Sequence, residues 1–351
     1  MQTVLTRTPK YLGIQALRGI AACMVVFLHA EQFRNPNHTF GESGVDIFFV
    51  ISGFVMAVSY LGRPLSAKEF LAHRIKRIVP LYWFMTFLAL MKLDAMFYIR
   101  HKPLVTPAFL ATSLFFIPYR NSLGFTNPVV PPGWTLNFEM FFYLLFAASI
   151  ALKANVAKLL TPVMLGLVVI GFYHPAALLN PIILEFLAGV LFGYAVHYGY
   201  KVPSIVAYLS GVLGVCWLFL HGPRVAVYGI SGFLIVHAFV TLEGKVRIPK
   251  PLIKIGDSSY SLYLSHYIYI YLVYLACIRV HLPGYVAVAV CVIVCIWVSF
   301  GVYRFLEKPL TQMASSAIQR LPGFREAPSS VKPHPASNRG RQSLSENKEL
   351  L

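Results

Sequence analysis

The chain has 351 residues, 57% of them hydrophobic and only 12% charged, about half the charged share of a soluble domain. So little charge cannot cover a water-soluble globule of this size, and lipid must be the solvent for most of the chain. The formal net charge of +17 does not point to nucleic acid, because the basic residues cluster in short gaps between apolar stretches, where membrane proteins place them for topology.

About ten stretches reach the roughly 20 apolar residues that a membrane-spanning helix needs. They lie near 12–32, 44–62, 80–98, 134–152, 156–173, 178–198, 203–221, 224–242, 258–280 and 284–306. The expected fold is all-α: a polytopic membrane domain over 10–310, then a disordered tail over 311–351 with several prolines, serines and scattered charges. The first stretch lacks a small-residue cleavage site, so it is expected to persist as a spanning helix rather than serve as a signal peptide. Leu110 to Pro118 is apolar but too short to cross, and is expected to be interfacial or re-entrant within the 99–133 loop. The five cysteines, Cys23, Cys216, Cys277, Cys291 and Cys295, lie in apolar stretches without zinc or extracellular disulfide spacing. No metal site is expected.

Basic residues concentrate in 63–79 (Arg63, Lys68, Arg74, Lys76, Arg77) and 243–257 (Lys245, Arg247, Lys250, Lys254), on the side shared with the N-terminus. The positive-inside rule then predicts both termini in the cytoplasm.

Charge inside the bilayer costs about 2.5–3.5 kcal/mol per residue on insertion scales, so each polar residue there needs a reason. On the first helix, Arg18 and His29 are 11 residues apart, which returns to within about 20° of one face with a rise of about 16 Å. Alone, Arg18 would serve as a snorkelling anchor and His29 as an interfacial group; their shared stripe speaks for a joint role. The second helix opens with Gly44-Val45-Asp46-Ile47-Phe48-Phe49-Val50-Ile51-Ser52-Gly53-Phe54. Asp46 lies near the level of His29 or caps the helix, and Ser52 with Gly53 suits close helix packing. Before the third helix, Arg74 and Arg77 are three apart and share a face if helical, suiting either a phosphate cluster or lipid headgroups. The fourth helix carries Glu139 and Tyr143 one turn apart; a buried glutamate facing His29 would fix its tautomer and support it as a base. On the ninth, His266 falls near mid-membrane, either lining a cavity or bonding structurally. Arg304 and Glu307 end the tenth as an intrahelical pair. Glu185, His237, Lys92 and Asp94 carry weaker arguments.

Taken in order, these strings resemble acyltransferase family 3. The resemblance rests on Arg18 with His29, the Gly44–Phe54 string, Arg74-Ile75-Lys76-Arg77, Trp134-Thr135-Leu136-Asn137-Phe138-Glu139, and Ser259-Tyr260-Ser261-Leu262-Tyr263-Leu264-Ser265-His266. It covers roughly 10–310. The resemblance implies a ten-helix membrane core of the bacterial inner membrane that O-acylates a carbohydrate such as exopolysaccharide, lipopolysaccharide or a lipo-oligosaccharide. It implies acyl-CoA as donor, acetyl-CoA by family frequency. His29, Glu139 and Asp46 form the expected catalytic set. Arg18, Arg74, Arg77, His266 and Tyr263 form the expected donor-binding set. The expected partners are acyl-CoA, the carbohydrate acceptor and membrane lipid, with no nucleic acid. The competing class is a transporter or flippase of a glycolipid or polysaccharide unit, which would have no need of a phosphate grip aligned with a polar stripe through the membrane.

Overall fold

The computed structural model describes residues 11–100, 105–120, 124 and 126–320. Among the described residues all regular structure is helical, as lipid demands, because a helix pairs its own backbone polar groups. In chain order the helices are α1 (Leu12–Glu31), α2 (Ser43–Gly62), α3 (Ala67–Arg100), α4 (Pro107–Leu114), α5 (Trp134–Ala151), α6 (Val156–Tyr173), α7 (Ile183–His197), α8 (Ser204–Trp217), α9 (Ile230–Thr241), α10 (Lys250–Asp257), α11 (Ser259–Arg279), α12 (Gly284–Val302) and α13 (Lys308–Gln319).

Among the described residues six helical rods are long and apolar enough to cross a membrane: α1, α2, α5 with its leading turn, α6, α11 and the continuous α12–α13. The sequence expectation was about ten. The difference lies in length and composition. Helix α7 has 15 residues, about 22 Å against a hydrocarbon core of about 30 Å; α8 and the helix over Val225–Thr241 are similarly short. Helix α3 dilutes its apolar run with Lys68, Arg74, Lys76 and Arg77 at one end and Lys92 at the other.

Two other boundaries differ. The basic stretch before the third span is not a loop but the first turns of α3, started by a capping box in which the Ser66 backbone N–H donates to Glu69 (2.9 Å) and the Glu69 N–H to Ser66 Oγ (3.3 Å). The tail expected from 311 begins as helix, because α12 continues through a wider turn at Tyr303–Glu307 into α13, whose Leu310 packs on the main core. The remainder of that tail, 321–351, lies outside the described residues. The short segment before Pro118 is the helix α4, capped by Thr106 and held to α3 by hydrogen bonds from Tyr82 Oη to Ser113 O (3.0 Å) and from Trp83 Nε1 to Leu114 O (2.9 Å).

Glycine sets how closely the central helices approach. A Cβ on Gly53 would stand 2.1 Å from Phe186 O, and one on Gly189 2.1 Å from Val50 O, so α2 and α7 touch backbone to backbone. Across α1 and α10, a Cβ on Gly256 would fall 1.8 Å from Gln15 O. Helix α1 is fixed at its start by Glu243, which accepts from Leu12 N (3.0 Å) and Gly13 N (2.8 Å) and so satisfies two otherwise unpaired N–H groups. The main core is aromatic, with Phe142 stacked on Phe186 at 3.9 Å between centroids. Outward-facing side chains such as Phe172, Trp297 and Phe305 are more than two-thirds exposed, an apolar surface suited to lipid.

Candidate active site

Helix α1 carries the two groups on which the site is built. Its small residues Gly13, Ala16, Gly19, Ala21 and Ala22 are buried against neighbouring helices, which brings α2, α10 and α11 close. Arg18 and His29 then project into two separate cavities.

The arginine cavity, of about 100 Å³, is lined by Arg18, Arg74, Arg77, Glu139, Tyr143 and Tyr260, with Ser52 beside them. Helix α3 supplies Arg74 and Arg77 one turn apart. The Arg74 guanidinium lies 5.3 Å from the Phe70 ring centroid and 5.7 Å from that of Tyr143, a cation–π setting that holds its plane. Its Nε is buried without a hydrogen-bond partner. Glu139 accepts from Ser52 Oγ (3.1 Å) and from Tyr143 Oη. Among the described residues none of the three guanidiniums forms an ion pair. Three guanidiniums lining one cavity with a single lining carboxylate, Glu139, leave an excess of cation in an apolar bundle, and an orphaned guanidinium N–H is the donor an anion site offers.

The histidine cavity, of about 460 Å³, is lined by His29, Gln32, Glu42, Trp134, Arg224 and Tyr267 among others. His29 Nδ1 lies 3.0 Å from Val25 O and 3.1 Å from His266 Nε2, and His266 Nδ1 lies 3.1 Å from Leu262 O. His266 is fully buried. Val45 and Tyr263 line both cavities, so the two abut there. Tyr263 Oη donates to Pro132 O (3.0 Å) and meets Thr135 Oγ1 at 2.9 Å, which fixes the ring across the join.

The expected residues therefore separate into three groups. Arg18, Arg74, Arg77 and Glu139 meet in the arginine cavity. His29 and His266 meet at the histidine cavity, with Tyr263 on the shared wall. Glu139 does not bond His29; its partners are Ser52 and Tyr143, and the ring partner of His29 is His266. Asp46, fully buried, accepts from Arg224 Nε (3.2 Å) and Nη2 (2.8 Å), while Arg224 Nη1 donates to Glu42 (2.9 Å). The sequence does not single out Arg224, which opens the apolar stretch 224–242; its partners lie far away in the chain and leave no local pattern. Among the described residues no group of three His, Cys, Asp or Glu could hold a metal ion.

This helical domain is of the acyltransferase class: the chain belongs to acyltransferase family 3, whose acyltransferase domain matches residues 11–304. Its relatives include the exopolysaccharide production protein ExoZ of Rhizobium meliloti, 34% identical over 304 residues that cover 81% of this chain and 94% of ExoZ. The O-acetyltransferase OatA of Staphylococcus aureus is 24% identical over 90% of this chain, which spans only 60% of the length of OatA. Protein 2 in the picA locus of Rhizobium radiobacter is 33% identical over 37% of this chain. No solved structure matches the chain.

Proposed function

We propose that this chain O-acylates an exported carbohydrate such as an exopolysaccharide, taking the acyl group, acetyl in the first instance, from acyl-CoA on the cytoplasmic side. The observation that carries the proposal is the pair of abutting cavities joined by one helix: unpaired guanidiniums at one end of α1, an imidazole at the other, and a common wall at Val45 and Tyr263. The names of ExoZ and OatA supply the polysaccharide and the acetyl group.

In this reading the membrane acyltransferase domain spans about 10–310 and crosses a bacterial inner membrane about ten times, the shorter helices α7 and α8 and the Val225–Thr241 helix included. The basic residues near Arg74 and Lys250 keep their ends of the bundle and both termini in the cytoplasm. Arg18, Arg74 and Arg77 grip the phosphates of the donor at that face. Glu139 offsets part of their charge and holds Tyr143 and Ser52. The thioester is presented at the shared wall, which Tyr263 borders, while His266 sits behind the wall against His29. His29 takes the proton of a carbohydrate hydroxyl as the oxygen attacks the thioester carbonyl. The new C–O bond forms, the C–S bond breaks, and the proton passes from His29 to the departing thiolate. Asp46, through Arg224, fixes the wall of the acceptor cavity.

The test is acyl transfer in membranes supplied with radiolabelled acetyl-CoA and exopolysaccharide stripped of its esters by alkali. The chain should transfer label, and His29→Ala, folded and membrane-inserted, should lose at least about 100-fold of the rate. Near-normal transfer by that variant would remove His29 as base. Movement of the carbohydrate across the membrane with no label transferred would favour a transporter.

A further inference from the structure

The four ring nitrogens of His29 and His266 have an unequal set of partners. His266 Nδ1 faces Leu262 O at 3.1 Å, and His266 Nε2 faces His29 Nδ1 at 3.1 Å, which in turn faces Val25 O at 3.0 Å. A carbonyl oxygen only accepts a hydrogen bond. His266 must therefore carry its proton on Nδ1, and in the neutral ring its Nε2 is a bare acceptor. His29 must then also carry its proton on Nδ1, shared between Val25 O and His266 Nε2. The opposite tautomer of His29 would set a lone pair against Val25 O and against the lone pair of His266 Nε2. One neutral arrangement satisfies every contact. It leaves His29 Nε2 unprotonated and, among the described residues, without a hydrogen-bond partner, in a ring that lines the histidine cavity.

We infer that His266 is the positioning residue of the transfer reaction, a neutral acceptor on α11 that holds His29 in its proton-accepting tautomer and orientation. The inference rests on the reading of His29 as base. Val25 O alone is a poorer anchor, since in the α1 ladder it already accepts the backbone N–H of His29. Among the described residues the Nε2 lone pair of His266 has no other hydrogen-bond partner, and its ring is buried completely and pinned at its far nitrogen by Leu262 O. Among the described residues the hydrogen bonds of the two rings reach no carboxylate. The pair thus does in lipid what a carboxylate–histidine pair does in water-soluble enzymes, without another charge in the membrane. When His29 takes the hydroxyl proton on Nε2, its Nδ1–H bond to His266 becomes charge-assisted and strengthens, and it relaxes when the proton leaves with the thiolate.

The experiment compares the full-length protein in proteoliposomes with His266→Leu, His266→Gln and His29→Ala, using acetyl-CoA and alkali-de-esterified exopolysaccharide. His266→Leu keeps bulk but removes the acceptor, and should lower kcat about 10- to 100-fold with the KM for acetyl-CoA unchanged. His266→Gln, whose Oε1 reaches the place of Nε2, should restore most of the lost kcat. If His266→Leu does not reach the membrane, His266→Asn, too short to reach His29 Nδ1, takes its place against His266→Gln. The inference is overturned if kcat is unchanged without the acceptor, if Gln fails as badly as Leu, or if the defect falls on the KM for acetyl-CoA. Activity in His29→Ala would sink the base reading itself; an inactive His29→Ala beside a fully active His266→Leu would sink only the positioning role.

Discussion

Replacing Arg224 with leucine should destabilise the protein through Asp46 rather than through Arg224 itself. Asp46 has no exposed surface, and both its carboxylate oxygens face Arg224, at 3.2 and 2.8 Å. Removing one partner of a buried pair leaves an uncompensated charge, at a cost of about 3–5 kcal/mol. Here the lower end applies, because the Arg224 side chain is 32% exposed and the cavity it borders lets solvent approach. The Arg224→Leu variant should therefore lose about 3 kcal/mol, measured by SDS titration in mixed micelles with near-UV circular dichroism. Adding Asp46→Asn removes the stranded charge, and the double variant should recover about 2 kcal/mol of that loss. If Arg224→Leu unfolds at the wild-type SDS fraction, or if Asp46→Asn adds its own penalty on top, the carboxylate is not held by Arg224 in the way described.

Replacing Arg74 and Arg77 together with alanine should weaken acetyl-CoA binding at least about 100-fold, read by equilibrium binding in nanodiscs; unchanged affinity would detach the arginine cavity from the donor. Tyr263→Ala removes the ring across the join of the two cavities and should raise acceptor-independent release of CoA, seen with a thiol reagent, whereas Tyr263→Phe should leave that leak at the wild-type level. Gly53→Ala places a methyl 2.1 Å from Phe186 O and should destabilise by about 1–3 kcal/mol. Gly166→Ala meets nothing within 4 Å and should be neutral or stabilising by up to about 1 kcal/mol; equal melting shifts for the two variants would contradict the α2–α7 contact.

What the sequence makes legible is whatever one helix settles within itself. Arg18 and His29 could be placed on one stripe of α1 because helical geometry alone fixes their angle and rise. Arg74 with Arg77, and Glu139 with Tyr143, were likewise found as neighbours on their own helices. Partners across helices were not legible. Glu139 was expected to face His29, yet α5 turns it toward Ser52 and Tyr143, because periodicity gives a face and not the element opposite it. The partner of His29 is on α11, 237 residues away, and that of Asp46 is Arg224, 178 residues away. Span counting had a related limit. Hydropathy finds apolar stretches well, but the short α7 and α8 and the charge-diluted α3 depart from the length and composition on which such counting relies. Most of α13 falls in the stretch expected as a loose tail from 311, since the helix is anchored through Leu310, whose apolar partners come only from the folded bundle.

Because Arg18 and His29 belong to a single unbroken helix, the distance between the arginine cavity and the imidazole is a covalent ruler with no slack. One residue inserted between them would swing one group about 100° around the helix and advance it about 1.5 Å, taking it out of its cavity. That segment of α1 can change its residues, but its length is as much a part of the machinery as the side chains at its ends.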